Sequence, residues 1–109
     1  MVSFETFRQM ALAHPETYEK PHFDRIAFYG ADKIFATYDP NRNQANLKLT
    51  IIDQDVFHRF DPTHIFPVAN KWGLAGMTTF CLDHVREDLF ADALQTAYAN
   101  VAKRHKKTP

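Results

Sequence analysis

Apolar and polar positions recur along this chain with two periods, and the changes of period divide it into elements. Near the start, Phe4, Phe7, Met10, Ala11 and His14 fall at helical spacing, with Ser3 placed to cap the helix and Glu5 in its first turn. Pro15 ends that helix, and Pro15 to Pro21 reads as a polar connector. From Phe23 to Tyr29 the period drops to two, with Ile26 and Phe28 sharing a face. Gly30-Ala31-Asp32 makes a short turn. Lys33 to Tyr38 then reads as a second strand, with Ile34, Ala36 and Tyr38 on one side and Lys33, Phe35 and Thr37 on the other. Asp39 to Asn43 carries hairpin chemistry. The third strand, Ala45 to Ile51, alternates most cleanly: Ala45, Leu47, Leu49 and Ile51 inward, Asn46, Lys48 and Thr50 outward. Such alternation predicts a sheet covered on one face and wet on the other.

Beyond this meander the period lengthens again. Asp53 or Asp55 can cap a short second helix that points Val56, Phe57 and Phe60 inward and ends at Asp61-Pro62. Thr63 to Val68 reads as a short extended segment, and Pro67 suits it to a sheet edge. In Lys71 to Leu82, Trp72-Gly73 and Gly76 predict a tight turn with the indole packed over it, followed by a strand from Met77 to Leu82. The last helix carries one long stripe: Val85, Leu89, Phe90, Ala93, Leu94, Ala97, Tyr98 and Val101. The predicted order is α-β-β-β-α-β-β-α. It gives a two-layer α+β domain over residues 1–109, an antiparallel sheet with its helices on one face.

Composition narrows the functional classes. The 109 residues fit one domain, and no apolar run approaches a membrane span. The first ten residues lack the pattern of a secretory signal, and a lone cysteine, Cys81, excludes an internal disulfide, so a cytoplasmic location is expected. Thirteen basic residues balance thirteen acidic ones, but Lys103, Arg104, Lys106 and Lys107 all lie in the last seven positions. The body is therefore acidic, and the tail reads first as a solvated helix end that complements the helix dipole.

Motifs for chemistry are sparse. Cys81 and His84 supply only two ligands at CxxH spacing, so neither a metal nor another cofactor is expected. The only serine, Ser3, serves as a cap, and there is no GxSxG or phosphate-binding glycine loop, so no enzyme is expected. The best remaining site residues are His22, Lys33, Lys48 and Trp72. Lys33 and Lys48 can share the open sheet face, with Phe35 and Tyr29 as stacking surface beside them.

The order of several short motifs then resembles a known family. Pro21-His22-Phe23 precedes the first strand, Lys33-Ile34-Phe35-Ala36-Thr37 lies in the second, and Leu47-Lys48-Leu49 in the third. Trp72-Gly73, Gly76, Thr78 and Tyr98 follow. Together they resemble the MmcQ/YjbR family of small bacterial proteins. The resemblance implies an α-β(3)-α-β(2)-α arrangement, as in type III secretion chaperones, and a DNA-binding role by the family's usual label. The candidate nucleic-acid contacts are then Lys33, Arg42, Lys48, Lys103 and Arg104, and His22 and Trp72 are candidates to line a pocket. Ala97 stands where the family often has serine, and the zero net charge departs from the usual basic footprint of a DNA binder. The alternatives are a protein- or peptide-binding module and a small-ligand binder, using the open sheet face or a pocket near the tryptophan turn. The expected partners are DNA or a protein, not a membrane, with the chain a monomer or weak homodimer.

Overall fold

The structure is a computed structural model that describes residues 1–106. In chain order its elements are α1 (Phe4–Leu12), β1 (Thr17–His22), β2 (Arg25–Gly30), β3 (Lys33–Asp39), β4 (Gln44–Lys48), α2 (Ile51–Phe60), β5 (Ile65–Pro67), α3 (Lys71–Leu74), β6 (Met77–Cys81) and α4 (Glu87–Lys106). The strands form one antiparallel sheet in the order β1-β2-β3-β4-β6-β5. The α+β class is as the pattern predicts, with one more strand and one more helical turn.

The core lies between the helices and one sheet face. Phe7 of α1 packs at ring-centroid distances of 5.0 Å from Phe28 and 5.1 Å from Phe90. Phe80 bridges Phe90 of α4 and Phe57 of α2. On α4, Phe90, Ala93, Leu94, Ala97 and Val101 are fully buried, as the stripe predicts. Leu47, Leu49 and Phe28 meet them from the sheet side. The chain start is tied down too, for the Val2 amide donates to the Leu82 carbonyl.

Several local expectations are corrected. The Pro15–Pro21 connector is largely β1, an edge strand whose charged and proline residues are what a protected edge carries. Phe23 does not begin a strand. It sits in the β1–β2 turn at φ 60° and is 94% exposed. In β3 the register slips: Phe28 pairs with Ala36 but Tyr29 with Ile34, leaving Phe35 as an extra residue. This bulge turns Phe35 into the core with Ala36 and Tyr38, and puts Ile34 on the opposite face. Strand β4 stops at Lys48. Thr50 caps α2 through the Asp53 amide, so Ile51 begins the helix and is exposed. Neither Asp53 nor Asp55 is the cap, and of the three apolar residues expected inward only Phe57 is buried, while Val56 and Phe60 face solvent.

The helix α4 continues through Lys106. The side chains of residues 103–106, including Lys103 and Arg104, and all of residues 107–109 lie outside the described residues. Among the described residues, no helix is long and apolar enough to cross a membrane, and no three His, Cys, Asp or Glu side chains are grouped to hold a metal ion.

Candidate functional site

The sheet face away from α1 and α4 is shaped by two local devices. The first is the β1–β2 hairpin. Its turn at Phe23-Asp24 sets His22 directly opposite Arg25. The second is the tryptophan segment, a single helical turn rather than the tight reversal expected. The Asn70 side chain caps it by accepting from the Trp72 amide at 2.9 Å. Gly73 lies so close to the Val68 carbonyl that a Cβ would stand 1.8 Å from its oxygen, so no other residue fits without moving the backbone. Gly76 follows at φ +112°, a conformation that side chains rarely adopt. From α2, the buried Gln54 amide donates to the carbonyls of Gly73 at 2.9 Å and Met77 at 3.2 Å. The turn is thus held from below. Its indole does not pack over it but projects outward, 57% exposed.

Between these devices lies a groove of about 430 Å³ lined by His22, Arg25, Ile34, Thr37, Asn46, Lys48, Val68, Asn70, Trp72 and Met77. Asn46 and Lys48 reach it because they alternate with the buried Ala45 and Leu47. Asn46 is oriented by Thr79, whose hydroxyl donates to it at 2.7 Å. Arg25 lies 3.5 Å from the buried Asp39 carboxylate, which positions the guanidinium at one end. Among the described residues no carboxylate lines the groove. The cavities beside α2 and α4 differ, carrying Asp53, Asp55, Asp61, Asp88 and Asp92. Elsewhere on the sheet, the cross-strand pair Tyr18 and Tyr29 stacks at 5.0 Å with planes 4° apart. The Lys20 ammonium stands 5.5 and 5.8 Å from the two ring centres. Desolvation, then the bond to Asp32, pushes the Tyr18 phenol above its ordinary range, so it stays a neutral donor.

The structure therefore brings His22, Lys48 and Trp72 to one groove. Lys33 is exposed at the first position of β3, and Arg42 is exposed in the β3–β4 turn; neither lines it. Phe35 offers no stacking surface, being fully buried against Tyr98. Arg25, Asn46, Tyr18 and Lys20 were missed. Asn46 carried a signal, since it shares the outward parity of Lys48. Tyr18 and Lys20 carried none once their segment was read as a connector.

The remaining reactive groups have structural surroundings. Cys81 is half-buried, its sulfur 3.7 Å from the Gln44 amide nitrogen, and burial pushes its thiol up, away from the reactive thiolate. His64 stacks on His84 at 4.2 Å and contacts Asp61.

A family model described as YjbR matches residues 12–100. The crystal structure of a Deinococcus radiodurans protein with a domain described as DUF419 superposes with a TM-score of 0.80 at 22% identity. The superposition covers 95% of this chain and 81% of that one. At that identity the likeness speaks for the fold, and it carries the same α+β arrangement. No curated protein matches the chain.

Proposed function

The chain belongs to the YjbR family, and from that premise we propose that it is a non-enzymatic domain that binds nucleic acid on its open sheet face. The observation that carries this reading is the groove around Trp72, where Lys48, Arg25 and His22 meet an exposed indole with no carboxylate among the described lining residues. Stacking on aromatic rings beside cationic side chains suits an unpaired strand, because every base has a π-face and every nucleotide a phosphate. Lys48 and Arg25 take phosphate oxygens, and Trp72 takes a base. The Tyr18–Tyr29 pair with Lys20 extends the same chemistry toward the β1 edge.

The test uses the only tryptophan as a reporter. Titration with a labelled single-stranded oligonucleotide at low salt is expected to quench Trp72 emission and raise probe anisotropy together. Lys48→Ala is expected to weaken both. Absence of binding at tens of micromolar protein, a generous limit for non-specific affinity, would sink the reading. A second reading rests on the groove's volume, which falls in the range of small-molecule sites. Quenching by mononucleotides as strong as by the oligonucleotide would favour it.

A further inference from the structure

Two aromatic stations stand on the open sheet face, and one cross-strand row joins them. Lys20 of β1 pairs with Ala27 of β2, Ala27 with Thr37 of β3, and Thr37 with Asn46 of β4. Cross-strand partners share a face, so these four side chains run in line across the sheet. Thr37 and Asn46 floor the groove beside Trp72. Ala27 and Thr37 are short and buried, so the floor between the stations stays low. At the far end, Tyr18 and Tyr29 pair at the next position of the same face, and neither they nor Lys20 line the groove itself. The Tyr18 hydroxyl donates to Asp32 at 3.1 Å, which holds the ring in place. Both rings are partly exposed. Two rings held parallel make a stack that a base can extend. Lys20 is exposed, and its ammonium beside both rings offsets the Asp32 carboxylate.

Resting on the single-strand reading of the groove, we infer that Tyr18, Tyr29 and Lys20 form a second nucleotide subsite, and that one strand fills both by crossing the sheet along the row from Lys20 to Asn46. From β1 to β4 is three strand spacings, about 14 Å. A mononucleotide cannot fill two stations so far apart, whereas a short oligonucleotide can. Once one base is held at Trp72, the second station is filled in effect intramolecularly, so affinity rises with no new contact in the groove. The ligand is therefore a strand of several nucleotides, and a strand too short to span the row gains nothing from the tyrosine pair.

Quenching of Trp72 by oligothymidine strands of two, four and eight nucleotides tests this. Affinity should step up by at least about fivefold from the shortest strand to the longest, the ratio that one stacked base supplies. Tyr29→Ala should remove most of that step and leave dinucleotide affinity unchanged, while Tyr29→Phe, which keeps the ring, should keep the step. A gain that comes only from the larger number of binding registers on a longer strand survives Tyr29→Ala. Lys20→Ala alters an exposed side chain and spares the fold. It leaves Asp32 uncompensated and should weaken binding of the eight-nucleotide strand alone. Affinity that does not change with length would overturn the second subsite and leave the groove reading intact. So would a length gain that survives either alanine variant, or a Tyr29→Ala loss equal for the dinucleotide and the longest strand. Absence of quenching by every strand is a separate outcome: it removes the groove reading, and the second subsite with it.

Discussion

A single glutamine decides whether the groove has a wall. Gln54 lies on the inner side of α2, almost fully buried, and its amide satisfies two carbonyls of the tryptophan segment at once. Nothing in the local pattern marks it, because a polar residue between helical aspartates reads as surface. Gln54→Leu keeps much of the volume but removes two hydrogen bonds, leaving the Gly73 carbonyl to the Gly76 amide and the Met77 carbonyl to the Val68 amide. It is expected to destabilise the fold by about 1–3 kcal/mol in urea denaturation and to blunt quenching of Trp72 by ligand. A neutral effect on both would show that the turn stands by itself on Gly73, Gly76 and the Asn70 cap. His14 offers a second residue-scale test. Its ring stacks on Tyr98 at 4.4 Å, and Tyr98 donates to the Pro15 carbonyl at 2.8 Å, closing the end of α1 onto α4. Burial holds the imidazole below its ordinary value of 6.5. Between the folded value and 6.5 the unfolded chain binds more protons, so stability rises with pH there. Acidification from neutrality through that window should therefore cost stability, and His14→Gln should reduce the slope. An unaltered slope in urea melts would place the sensitivity elsewhere.

At the scale of elements, the helices and the inner strands were legible because burial on one face leaves a period. The stripe of α4 is the plainest case, from Phe90 to Val101. The alternation of β4 was equally readable, and Leu47 and Leu49 are buried as it requires. What failed to read had a physical cause in each case. Strand β1 is an edge, and its residues are chosen to be unattractive to other strands, so they look like a loop. The bulge in β3 inserts one residue into a two-residue period, which moves Ile34 to the open face and Phe35 into the core without any change in composition. Helix α2 was read with Val56 and Phe60 inward because apolar residues ordinarily are. Their exposure is the exception to that rule. The site divided along the same line. His22, Lys48 and Trp72 sit where parity and the turn put them, whereas Arg25 joined them only once the hairpin placed it opposite His22.

For the whole molecule, a net charge of zero hides an uneven distribution. Carboxylates gather in the cavities along α2 and α4, while the groove holds Lys48, Arg25 and His22. Long-range attraction to a polyanion is therefore weak, and affinity has to come from a few local contacts plus stacking. With two or three phosphates neutralised by Lys48, Arg25 and Lys20, the logarithm of affinity for a single strand should fall against the logarithm of salt with a slope of about −1.5 to −2. The basic end of the chain is the rival source of such a slope. Among the described side chains Val101 is the last fully buried one of α4, and removing residues 106–109 is expected to leave the melting temperature nearly unchanged. If the contact is the groove, that truncation keeps most of the affinity and its slope, and Lys48→Ala lowers the slope by about 0.7, one phosphate's worth. The opposite pattern, in which the truncated chain folds but loses its salt-sensitive binding while Lys48→Ala retains it, would move the contact to the end of α4 and leave the groove to a small ligand.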